Sequence, residues 1–173
     1  VDCTQLSKCS NAFYGCKNLQ TIPSFKDCPL ITSLDNVFTG CINLVDVSNL
    51  QAVNLQTAIG LFKDCAKLTK VPDFKTMPNL TDISEMFSGC TALDCSIDFS
   101  SSNKITTLNR TFLGCESLTK TPNLSGLTEV TSFCRTFQNC TALTGEIDFT
   151  ACTKAYDFSF IFYGCTSLTD ELI

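Results

Sequence analysis

The chain has 173 residues, with 17 acidic against 12 basic side chains, 14 Phe, 13 Cys, and neither Trp nor His. A net charge of −5 argues against a nucleic-acid scaffold, which needs a basic stripe. The missing imidazole excludes Ser-His-Asp and Cys-His catalysis, mixed Cys/His zinc sites and a histidine pH switch. No apolar run approaches the roughly 20 residues of a membrane-spanning helix, and residues 1–20 lack the basic-then-apolar order of a signal peptide.

Along the chain the block Phe-x-x-Cys-x-x-Leu recurs seven times, at Phe13/Cys16/Leu19, Phe38/Cys41/Leu44, Phe62/Cys65/Leu68, Phe87/Cys90/Leu93, Phe112/Cys115/Leu118, Phe137/Cys140/Leu143 and Phe162/Cys165/Leu168. The spacing is 24 or 25 residues throughout, a period that marks a solenoid in which each winding covers the apolar face of the next. Residues 1–173 therefore form one α/β repeat solenoid of about seven coils of 24–25 residues. Its seven Phe and seven Cys should form one continuous structural ladder.

Within a winding the elements are predicted as follows. Apolar residues stand ten, seven and three positions before the ladder Cys, as in Leu80, Ile83 and Phe87. This i, i+3, i+7 spacing predicts one face of a short helix or helical turn, opened by capping-type residues such as Thr81 and Asp82. The position just before the Cys reads Gly15, Gly40, Asp64, Gly89, Gly114, Asn139 and Gly164. These residue types tolerate φ > 0 and end helices, so the chain should turn there and drop Cys into the core. A Gly-rich phosphate loop is the competing meaning, but no P-loop Lys or G-x-G-x-x-G follows. After the Cys, stretches such as 93–99 alternate apolar with polar and predict a strand. Pro23, Pro72 and Pro122 keep it short or irregular. Eight residues after the Cys stand Ser24, Asn49, Asp73, Asp98, Asn123 and Asp148, which suit turn chemistry better than calcium.

The ladder cysteines are too far apart in sequence for paired zinc ligands. Stacked about 4.8 Å apart, they are also too widely spaced for disulfides. They are expected to be buried small hydrophobes. Cys3, Cys28 and Cys152 share a column that continues through Val53, Met77, Ser102 and Leu127 and is expected to be mostly core. Cys3 and Cys28 could join if the coils relax locally.

The block Phe-x-Gly-Cys-x-x-Leu, fullest at Met86–Leu93, resembles the BspA-type leucine-rich repeat of bacterial surface proteins, over essentially the whole chain. That resemblance implies a right-handed solenoid of leucine-rich-repeat type, often on cell surfaces and in some members adhesive, with no shared catalytic residues. Similar repeats occur in phage receptor-binding proteins. Unlike typical members, residues 1–173 show no recognisable signal peptide, anchor or end caps, which are expected to lie outside them. Both ends fall within a repeat, which suggests a piece of a longer array whose uncapped edges could associate end to end.

Function is expected on outward strand positions, read across coils. Four residues after the Cys come Asp94 and Thr144 among a Thr-rich column; five after come Thr21, Asp46, Lys70, Cys95, Lys120 and Gly145. Changing chemistry on a fixed lattice suits recognition, and Thr21, Asp46, Lys70, Asp94, Lys120 and Thr144 form the candidate ligand face. The sequence thus points to a non-catalytic, surface-located or secreted binding module. It would take a host or cell-surface protein or glycan, with no cofactor, metal, nucleic acid or membrane insertion. A structural spacer in a stalk or phage tail fibre is the alternative.

Overall fold

The computed structural model describes residues 3–169. Phe13, Phe38, Phe62, Phe87, Phe112, Phe137 and Phe162 follow one another in a single stack. Their ring centroids lie 5.3–6.0 Å apart, with planes within 15° of parallel. The inner rings, Phe38 through Phe137, are fully buried, while Phe13 and Phe162 are partly so. A second set of aromatics meets this stack from the side. Phe25 lies edge-on to Phe38 at 6.4 Å, Phe74 edge-on to Phe87 at 6.4 Å, and Phe99 lies tilted against Phe112 at 6.5 Å. Edge and tilted arrangements of this kind match the ring quadrupoles.

The predicted helix does not form. From seven residues before the ladder Cys onwards, the chain makes consecutive turns: in one winding Val37 N–H donates to Leu34 O, Thr39 to Asn36 O, and Cys41 to Phe38 O. The intervening donors leave the winding altogether, with Asn36 bonding Ile59 O at 2.8 Å, Phe38 bonding Leu61 O at 3.0 Å and Gly40 bonding Lys63 O at 2.8 Å. A left-handed residue five before the Cys causes the difference. Asn11, Asn36, Gly60, Glu85, Arg110, Arg135 and Phe160 all have φ between 56° and 60°, and one such residue breaks an i→i+4 helix. The capping-type residues do cap, but they close turns: Asp82 Oδ1 accepts from Ser84 N–H at 2.8 Å and Asp157 Oδ1 from Ser159 N–H at 3.0 Å.

The strand is also displaced. Parallel bridges run Ser33↔Thr57↔Asp82↔Thr107↔Ser132↔Asp157, eight residues before each Cys, where the helix was expected. On the predicted strand only Asp46↔Lys70 and Asp98↔Asn123 pair in this way among the described residues. The one helix among them is a short 3₁₀ turn, Phe74–Thr76, capped by Asp73. The position before the Cys behaves as expected: Gly15, Gly40, Asp64, Gly89, Gly114, Asn139 and Gly164 all have positive φ.

The ladder thiols are free, and they carry a bond that the sequence did not suggest. From the second winding on, each Sγ donates to the carbonyl of the Phe in the winding before: Cys41 to Phe13, Cys65 to Phe38, Cys90 to Phe62, Cys115 to Phe87, Cys140 to Phe112 and Cys165 to Phe137, at 2.9–3.3 Å. The same carbonyl accepts the N–H of its own winding's Cys, so both its lone pairs are used. A buried residue that is small, apolar and weakly donating fits this slot. Burial pushes the Cys65 thiol up to about 12. Cys3 and Cys28 depart from the free-thiol pattern: they form a disulfide, with Cα atoms 5.1 Å apart. Their column is mostly core as expected, with Cys28, Met77, Ser102, Leu127 and Cys152 buried. Val53 is exposed, and the Ser102 hydroxyl is buried without a partner.

Candidate recognition surface

On the predicted ligand face the backbone ladder is interrupted by side chains. Asp94 Oδ1 takes the Thr119 N–H at 3.0 Å and the Thr119 hydroxyl at 2.7 Å. That donor would otherwise serve a strand pairing. These two bonds, with Lys120 nearby, hold the Asp94 carboxyl below its usual range. Thr144 hydroxyl reaches Thr119 O at 3.5 Å, and Thr69 hydroxyl reaches Val45 O at 3.3 Å. Thr69, Thr119 and Thr144 thus spend their hydroxyls on neighbouring windings.

Thr21, Asp46, Ser48 and Asn49 line one shallow depression of about 240 Å³. A second, of about 260 Å³, lies between Ser48, Val71 to Phe74, Ser96 and Asp98. Asp94, Cys95, Ser96, Thr119, Lys120 and Thr121 line a third of about 280 Å³. Ser48 belongs to the first and second, and Ser96 to the second and third. The three hollows therefore lie side by side across the windings. Of the predicted face residues, Thr21 and Asp46 share one hollow, and Asp94 and Lys120 share another. Asp46 and Lys70 instead pair with each other at 2.9 Å, and Ser48 with Lys70 holds the Asp46 carboxyl at about 2. Thr144 lines none of the three.

Ser48 and Ser96 escaped the sequence reading because they sit outside the two columns followed there. Of the residues eight after the Cys, Asp73, Asp98, Asn123 and Asp148 make turns, each accepting the N–H two residues on at 2.8–3.1 Å. Among the described residues no group of three His, Cys, Asp or Glu side chains is placed to hold a metal, and no helix is long and apolar enough to cross a membrane.

The family described as "Mycoplasma protein of unknown function, DUF285" matches residues 4–123 and 60–173. The chain belongs to that family. Among solved structures, a leucine rich cell surface protein from Faecalibacterium prausnitzii A2-165 is 27% identical with a TM-score of 0.50. The match covers 72% of this chain and 30% of that one, so the chain spans under a third of that protein. A leucine-rich repeat protein of T. pallidum is 18% identical, with a TM-score of 0.39 and coverage of 88% and 78%. One from Bacteroides ovatus is 18% identical, with a TM-score of 0.29 and coverage of 92% and 75%. Comparison with curated proteins gives no match. The likeness of this DUF285 member to the F. prausnitzii protein agrees with the BspA-type resemblance of its repeats and with a leucine-rich-repeat solenoid.

Proposed function

We propose that this DUF285 chain is a non-catalytic recognition module of a cell-surface or secreted protein, a right-handed solenoid of about seven windings with an adhesin-like role. Its ligand is a protein or glycan that lies across the windings. The observation that carries this reading is the row of three adjacent hollows that share Ser48 and Ser96, whose lining changes from carboxylates alone (Asp46, then Asp73 and Asp98) to Asp94 with Lys120 on a fixed lattice. Likeness to a leucine rich cell surface protein supports the setting. A purified chain screened against matrix proteins and glycans should give a reproducible partner whose binding falls at least tenfold in an Asp94→Ala/Lys120→Ala variant. A screen with no partner, or a partner indifferent to that variant, would leave the spacer role as the better account.

A further inference from the structure

In the column four after the ladder Cys, two threonines bond the preceding winding in the same way. Thr69 brings its N–H at 2.9 Å and its hydroxyl at 3.3 Å to the Val45 carbonyl. Thr144 brings the same two donors to the Thr119 carbonyl, at 3.1 and 3.5 Å. Thr119 offers this pair as well, but its acceptor is a side chain: Asp94 Oδ1 takes the N–H at 3.0 Å and the hydroxyl at 2.7 Å. Asp94 is the one carboxylate of that column, and acidic residues are poor strand formers. Its side chain thus stands in for its own carbonyl, and two main-chain groups are left over. Val45 O also accepts the Lys70 N–H at 3.3 Å, whereas the matching Asp94 O and Lys120 N–H have no hydrogen-bond partner among the described residues. Both residues line the hollow of about 280 Å³. One winding further on, where the Thr119 carbonyl is the acceptor, the backbones are in close contact. A Cβ on Gly145 would lie 3.4 Å from Lys120 Cα, and none of the three hollows lies between those two windings.

We propose that Asp94 is a positioning residue of the recognition surface: by taking Thr119 in place of its own carbonyl, it keeps the windings of Cys90 and Cys115 apart and leaves the Asp94 carbonyl and the Lys120 N–H open to a partner. This inference rests on the recognition reading above and adds to it the residue that shapes one of the hollows. A carboxylate oxygen lies further from its Cα than the main-chain oxygen does, so a side-chain acceptor spaces two windings that a carbonyl acceptor draws together. The scaffold does not need the exchange, because the carbonyl already offers an acceptor for the same donors, as Val45 and Thr119 show. What the exchange provides is an unspent main-chain donor and acceptor beside the Lys120 side chain.

The test compares two variants of the full chain. Asp94→Thr installs the residue present as Thr69 and Thr144, and Asp94→Asn keeps a side-chain acceptor at the same reach. Both are neutral, which matters because burial and, after it, the Asp94 charge raise the Cys95 thiol. Cys95 lines the hollow and is half-buried, so its labelling by iodoacetamide in the folded state reports how open the hollow is. Cys134, half-buried and outside the hollow, is the internal standard. Asp94→Thr should label several-fold more slowly at Cys95 than Asp94→Asn does. Its Lys120 amide should also exchange several-fold more slowly, having gained the bond that Lys70 makes, and it should melt no lower than Asp94→Asn. Equal labelling and equal exchange in the two variants would overturn the proposal. So would a lower melting temperature for Asp94→Thr, by assigning the carboxylate to the scaffold. Against a matrix protein or glycan that the parent retains in the screen, Asp94→Thr should bind about tenfold more weakly than Asp94→Asn, and equal binding would overturn the role in recognition. A screen without a partner would remove the recognition reading and leave the closing of the hollow to stand on its own measurements.

Discussion

Gly89 and Gly114 occupy equivalent left-handed positions, with φ of 75° and 71°, but their surroundings differ. A Cβ at Gly114 would meet nothing nearer than the Gly89 nitrogen at 4.0 Å, whereas one at Gly89 would run into the Asp64 carboxylate. Gly114→Asn should therefore be close to neutral in urea unfolding, because Asn139 holds the same conformation at φ 61°. Gly114→Val should lose about 1–2 kcal/mol from backbone strain alone. Gly89→Val should lose more, since strain and collision add; if it unfolds like the parent, the turn geometry is wrong. This column was legible in the sequence because six of its residues are Gly or Asn and the seventh is Asp64. The other left-handed column was not. Its Asn11, Asn36 and Gly60 give the signal, but Glu85, Arg110, Arg135 and Phe160 mask it.

An inner winding is held by the ring above, the ring below, a thiol-to-carbonyl bond and the backbone bonds between windings. Phe87 is fully buried between Phe62 at 6.0 Å and Phe112 at 5.7 Å. Phe87→Ala should destabilise by about 3–5 kcal/mol in denaturant unfolding, since stacked windings cannot close the void. A loss under about 1 kcal/mol would show that the stack is not the core. The thiols give an independent reading of the same architecture. Under native conditions a thiol reagent should modify Cys16 first and the half-buried Cys9, Cys95 and Cys134 more slowly. Cys41, Cys65, Cys90, Cys115 and Cys140 should react only as the protein unfolds; fast labelling of Cys90 in the folded state would contradict the burial. The ladder was legible because Phe, Cys and Leu recur in fixed register. Helix and strand were not. Apolar residues at i, i+3 and i+7 serve a run of turns as well as a helix, and the alternation in 93–99 does not reveal that Asp94 captures the N–H of Thr119.

Across the whole molecule these local bonds set opposite pH limits. Asp46, Asp94, Asp98, Asp148 and Asp157 all sit below the ordinary carboxylate value of 3.8, Asp46 at about 2, because hydroxyl and backbone N–H groups bond their charged forms. A lowered pKa means that the unfolded chain takes up protons first. That contribution is complete above the unfolded value and is lost as pH falls from about 4 towards 2. The ladder runs the other way. Desolvation raises Cys65 from 9.0 to about 12 and Cys90, Cys115 and Cys140 in the same direction, so the unfolded chain loses its thiol protons first. That contribution is intact below pH 9 and declines as pH rises towards 12. Melting temperature should therefore be level between about pH 4 and 9 and fall on both sides. Because each winding rests on its neighbours, the alkaline fall should be one transition, with iodoacetamide trapping Cys65, Cys90 and Cys115 together. Stepwise trapping of single ladder thiols, or a melting temperature still level at pH 11, would show that the thiol bonds do not couple one winding to the next.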